Sequence, residues 1–117
     1  MRSVSRTGRT ALRVGALRHR VTVEEPERAA DDGGGGDVTW ATVANVWAEV
    51  VPKSGREVFE SDQLGGRITH EVRMRWRADI APDMRIIHRG RPFNVRYAVN
   101  VSGRDEWLIC ECEEASL

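Results

Sequence analysis

An excess of charge, a disulfide framework and long apolar runs are all missing from this sequence. Eighteen Lys and Arg balance eighteen Asp and Glu. A protein that works mainly by holding duplex DNA through its phosphates needs a basic surplus, so the balance argues against that class. Two cysteines in 117 residues are too few for a disulfide scaffold. No apolar run approaches the roughly 20 residues that cross a bilayer. The Arg-rich N-terminus lacks the apolar centre of a secretory signal. These absences predict a soluble protein of a reducing compartment, with no membrane partner.

Catalytic signatures are missing too. There is no nucleophile elbow, no His-Glu-X-X-His and no pair of carboxylates in an apolar setting. Asp79 and Asp83 fall in a turn, where turn chemistry accounts for them. Cys110 and Cys112 with His19, His70 and His88 would make a Cys₂His₂ set, but their spacing matches no zinc motif. The expectation is a protein that is not an enzyme and carries no metal or cofactor. A run of four glycines, Gly33–Gly36, is followed by no Gly-Lys-Ser/Thr and flanked by acids, so it is no phosphate loop.

What the sequence does have is period-two alternation. In Arg67 to Arg77, Ile68, His70, Val72, Met74 and Trp76 share one parity, and Thr69, Glu71, Arg73 and Arg75 the other. That pattern predicts a strand with one dry and one wet face, about 36 Å long over eleven residues. Met84–Arg89 and Phe93–Val101 follow as a hairpin around Arg89-Gly90-Arg91-Pro92. A tight turn there predicts positive φ at Gly90. Phe93, Val95, Tyr97, Val99 and Val101 are predicted to share one face. Leu17–Glu25 is an earlier strand, ended by Pro26. Trp40–Pro52 and Glu106–Glu113 carry apolar residues on both parities. Either a second subunit covers their outer face, or the strands bend at a barrel corner and switch faces. The candidate interface residues are Val43, Trp47, Val51, Trp107 and Ile109.

Ser54 and Glu57 stand three apart as a capping box, and Gly65-Gly66 makes a stop. They predict a short helix over 55–64 with few apolar residues. Five or six strands, one short helix and no βαβ alternation predict an all-β fold, a small antiparallel barrel or sandwich. The expected organisation is a flexible basic arm at 1–14, or a true start near Val14, followed by one domain at 15–117 with a mobile Gly-rich loop at 26–39. Arg73, Arg75 and Arg77 form a candidate basic face. It would touch DNA backbone, bridge to the acidic tail of a neighbouring copy, or simply be solvated.

Leu17-Arg18-His19-Arg20-Val21-Thr22-Val23, a Gly-bearing loop, Trp40, Val46-Trp47-Ala48-Glu49-Val50, Ser54-Gly55-Arg56-Glu57, Thr69 to Trp76, Asp79-Ile80 with Met84-Arg85-Ile86, and Arg89 to Val95 together form an ordered set. In that order and spacing they resemble the head–tail joining proteins of tailed bacteriophages. These are also called head closure or stopper proteins, and prophages and gene transfer agents carry them. The resemblance spans about residues 15–114. It implies a barrel that assembles as a ring, six- or twelvefold, closes the portal channel after DNA packaging and docks the tail. The implied partners are further copies of the chain, portal and adaptor rings above, a tail terminator or tail tube protein below, and packaged double-stranded DNA without sequence specificity. The implied location is the virion, with the host cytoplasm during assembly. It also implies a gating segment at 53–66, with Ser54, Arg56, Glu57, Phe59 and Gln63 as candidate channel residues. The competing class is a small OB-like barrel binding single-stranded nucleic acid. That needs aromatics beside the basic residues, whereas Trp76, Phe93 and Tyr97 share parity with the apolar side chains.

Overall fold

Alternation along the strands settles which side chains fill the interior. In the computed structural model, which describes residues 12–28 and 38–115, Val21, Val72, Met74, Val95 and Leu108 all point inward and are buried. The strands are β1 (His19–Arg28), β2 (Val38–Pro52), β3 (His70–Arg75), β4 (Arg85–His88), β5 (Arg91–Asn100) and β6 (Trp107–Glu114). They close into one antiparallel barrel in the order β1-β2-β3-β6-β5-β4. Helix α1 (Gly55–Gln63) joins β2 to β3. Closure removes most sheet edges and seals a core centred on Phe93, Met74 and Ile86. Each such side chain contributes about 1.5–3 kcal/mol on burial.

Antiparallel order brings alternate strand ends together. One end of the barrel gathers the start of β1 (His19), the end of β4 (His88), the start of β3 (His70) and the end of β6 (Glu114). The β4–β5 turn lies there as well. Arg89 and Gly90 both take positive φ, 54° and 77°, which makes it a type I′ hairpin and bears out the expectation for Gly90.

The other end carries a projection. β1 pairs with β4 only over Thr22–Glu24, and β2 pairs with β3 only from Ala48 on. The β1–β2 pairing nevertheless continues out to Arg28↔Val38. A two-stranded ribbon therefore leaves the barrel, and the described residues span 63 × 30 × 27 Å.

Several boundaries differ from the sequence reading. β1 does not stop at Pro26 but runs through it. Pro26 lies past the last β1–β4 pair, where β1 is an edge strand and a missing N–H costs no ladder bond. The expected loop at 26–39 is thus strand at 26–28 and 38–39; its centre, 29–37, lies outside the described residues. So do residues 1–11 of the expected arm, while Val14–Ala16 form a short 3₁₀ turn. β3 has six residues, not eleven: residues 67–69 carry no strand assignment, and from Trp76 the chain leaves the ladder for turns.

Two bulges correct the predicted faces. Val43 is the extra residue where Val23↔Ala44 is followed by Glu24↔Thr42. Arg96 is the extra residue between Val95↔Cys112 and Tyr97↔Glu111. One inserted residue reverses every later side chain. Val43 therefore packs against the core. Tyr97 and Val99, predicted to lie with Phe93, instead stand 55% and 47% exposed.

Candidate assembly surface

The outer face of β1, β2, β3 and β6 carries a row of arginine alternating with tryptophan. Arg20 pairs with Trp47 across β1 and β2, and Arg75 pairs with Trp107 across β3 and β6. The β2–β3 register, ending at Ala48↔Met74, sets Trp47 beside Arg75 in the next step. Arg20 stacks over the Trp47 ring at 5.2 Å and Arg75 over the Trp107 ring at 5.5 Å. Such cation–π contacts contribute about 0.5–1 kcal/mol at exposed sites. Trp47 is 52% exposed. The turn before β1 adds Val14 and Leu17, which line a shallow hollow with Trp47 and Arg75. Neither Arg20 nor Arg75 meets a carboxylate among the described residues.

Below this row the same outer face is ionic and closed. Glu71 and Arg73, predicted to be wet, are only 2% and 3% exposed. Arg73 Nε donates to Glu71 at 2.6 Å, and its Nη1 donates to Glu49 at 3.3 Å. Lys53 Nζ donates to Glu71 at 3.1 Å and makes an ion contact, without directed hydrogen-bond geometry, with Glu111 at 3.1 Å. Register builds this cluster, since Glu49↔Arg73 and Glu71↔Glu111 are cross-strand pairs. Burial alone would push the Glu71 carboxyl up, but the Arg73 and Lys53 hydrogen bonds hold it below its ordinary value. Burial likewise works to lower Lys53, yet Glu71 and Glu111 hold it above its usual value.

The predicted basic face therefore breaks up. Arg73 is buried in the cluster, and Arg77 is forked onto Asp79 at 3.0 and 2.9 Å. Arg85 pairs with Glu24, Arg91 with Glu114, and Arg96 with Glu113. Of the three named arginines, Arg75 alone stands exposed without an acidic partner among the described residues. Of the interface candidates, Trp47 is exposed on the outer face, while Val51, Trp107 and Ile109 are half-buried there.

α1 has both arms of its capping box: Glu57 N–H donates to Ser54 Oγ at 3.1 Å, and Ser54 N–H to Glu57 Oε1 at 3.0 Å. Arg56 and Glu60 pair along its surface. None of its residues is buried; Phe59 is 63% exposed, and Leu64, just beyond it, 88%. Gln63 is its last residue. The Ser61 hydroxyl accepts from the Ile68 N–H at 2.9 Å, one of the ties between helix and barrel.

At the histidine end, the His19 and His88 rings lie 4.7 Å apart, and His70 meets Phe93 edge-on. Burial, then the charges of His19, Arg89, Arg91 and His70, lower the His88 pKa. Cys110 and Cys112 are free and buried. Burial pushes the Cys110 thiol up to about 12 and Cys112 also upward, which makes both inert packing residues. Among the described residues no three His, Cys, Asp or Glu stand close enough to share a metal ion. No helix there is long and apolar enough to cross a membrane.

Comparison with known proteins fits this barrel. A Shigella flexneri 2a protein of known solution structure is similar at 25% identity and a TM-score of 0.71, over 90% of this chain and 98% of that one. A chain from the virion of a native gene transfer agent particle shares the fold at 23% identity and a TM-score of 0.59, over 85% and 96%. No curated protein matches. The sequence model of the phage head completion proteins matches residues 12–115, and the chain belongs to that family.

Proposed function

We propose that this protein forms a ring at the head–tail interface of a phage-like particle, closes the portal channel after DNA packaging and offers the surface on which the tail docks. The match to the head completion family over residues 12–115 carries this reading. The half-exposed Trp47 between Arg20 and Arg75 supports it, since Trp and Arg are enriched where proteins meet. The partners are further copies of the chain in a six- or twelvefold ring, portal and adaptor rings on one side, and a tail terminator or tail tube on the other. Packaged double-stranded DNA passes through without being read. The protein resides in the virion, after assembly in the host cytoplasm, and performs no catalysis.

In this reading the segment 53–66 faces the channel and gates it. A gate needs two states of similar energy. α1 supplies a capped helix that fully buries none of its residues and half-buries only Val58 and Ser61, so little burial energy fixes its place. Ser54, Arg56, Glu57, Phe59 and Gln63 are its channel candidates.

Particles made without the gene test the reading. The expected result is DNA-filled heads that lack tails and lose DNA on standing. Normal tailed, stable particles would overturn it.

A second reading is favoured by one observation. Trp47 and Trp107 stand beside Arg20 and Arg75, the arrangement that stacks and neutralises single-stranded nucleic acid. A salt-dependent band shift with single-stranded DNA, lost in Trp47→Ala, would favour it over the ring.

A further inference from the structure

The β1–β2 ribbon is incomplete as an isolated object. Two strands alone are marginal in water, and nothing among the described residues pairs with the second edge of β2 from Val38 to Trp47. That edge is little protected beyond the bulge at Val43. From Val38 to Ala48 the sequence Val-Thr-Trp-Ala-Thr-Val-Ala-Asn-Val-Trp-Ala has no charge and no proline, two of the devices that normally blunt an edge. The companion strand supplies the opposite character. Glu25 and Glu27 are exposed and meet no cation among the described residues.

The Arg20–Trp47–Arg75–Trp107 row is the complementary surface: two exposed cations, without carboxylate partners among the described residues, alternating with two indole rings. It spans three inter-strand steps, about 14 Å, enough to seat a two-stranded ribbon. The row cannot receive the ribbon of its own chain. Glu27 sits opposite Thr39 and Arg75 lies beside position 47. Eight residues of β2 separate them, about 26 Å.

We propose that the β1–β2 ribbon of one copy lies across the Arg20–Trp47–Arg75–Trp107 row of the next, with Glu25 and Glu27 answering Arg20 and Arg75. This rests on the ring reading and names the contact that builds the ring. Ribbon and row are different surfaces, so the contact is head-to-tail, the kind that closes into rings rather than pairs.

Cysteine cross-linking in purified particles tests it, because Cys110 and Cys112 are buried and leave the introduced thiols as reporters. A chain carrying both Glu27→Cys and Arg75→Cys is expected to give a series of covalent multimers on mild oxidation. Each single variant should stay monomeric. An intramolecular bridge is ruled out by the separation above, against a Cα limit of about 7 Å. Incorporation of the double variant without cross-links, or dimers from Arg75→Cys alone, would overturn the contact while leaving the ring reading standing. Absence of the wild-type protein from the particles would overturn both. Charge reversal gives an independent reading. Arg75→Glu should cut incorporation about tenfold or more, and adding Glu27→Arg to the same chain should restore it. A loss without restoration overturns the pairing.

Discussion

Arg73→Met is the most informative perturbation of the fold, because the charge count around it is known. Glu49, Glu71 and Glu111 supply three carboxylates, and Arg73 and Lys53 supply two cations. Met matches the arginine stem but removes one cation, leaving three carboxylates around Lys53 alone. Glu71, 2% exposed, cannot recover the loss by solvation. Breaking a buried pair in this way costs about 3–5 kcal/mol, a large share of the roughly 5–15 kcal/mol that holds a domain together. Glu71→Gln is the control. It leaves two carboxylates facing two cations and should cost only about 1–2 kcal/mol. Urea denaturation of the three proteins at pH 7 gives the comparison. The pH dependence sharpens it. In the wild type the Glu71 pKa is lowered by folding, so its contribution is present above the ordinary carboxylate value and is lost as pH falls through the folded value. In Arg73→Met, burial should instead raise Glu71, and the folded protein then binds the proton more readily than the unfolded chain. Its stability deficit should shrink as pH falls toward 4.5. A cost below about 1 kcal/mol, or a deficit that does not shrink in acid, would show that the cluster is effectively solvated.

Further outcomes follow from other sites. Gly90→Val should cost about 1 kcal/mol or more, since φ at Gly90 is 77° and a β-branched residue is strained there; a thermal melt with unchanged midpoint would contradict this. His88, whose pKa is lowered chiefly by burial, should titrate below the usual 6.5 in an NMR pH series. Because the unfolded chain takes that proton first, stability should decline as pH falls from 6.5 toward the folded value, and His88→Gln should remove that part of the slope. Amide exchange across 55–63 should be faster than across β3, because α1 buries none of its residues; equal protection would remove the physical basis of the gate. Trp47→Ala should leave the unfolding free energy from chemical denaturation within about 1 kcal/mol of wild type yet lower the amount of protein in particles.

The barrel was legible because most of its strands alternate. Val72, Met74, Phe93 and Val95 were set on one face by parity alone and are buried. The helix was legible from Ser54, Glu57 and Gly65, whose roles are local. Two kinds of feature were not. A bulge is one extra residue with no composition of its own, so the turning of Val43 toward the core and of Tyr97 away from it required the register. Contacts between strands distant in sequence were also hidden. Parity labelled Glu71 and Arg73 wet, yet cross-strand pairing with Glu49 and Glu111 makes their neighbourhood self-satisfying and dry. The Arg–Trp row is of the same kind. Arg20, Trp47, Arg75 and Trp107 come from four strands, and their alternation exists only after closure; within single strands, parity set Trp76, Phe93 and Tyr97 with the apolar side chains and apart from the arginines.

The central claim is that copies of this chain form a ring between head and tail. A localised cryo-EM reconstruction of the neck of purified particles tests it most directly. The account predicts a closed ring of six-stranded barrels between the portal and adaptor rings and the tail, with each β1–β2 ribbon resting on its neighbour. A neck whose density holds no such barrel, or copies located only on the capsid shell, would contradict it.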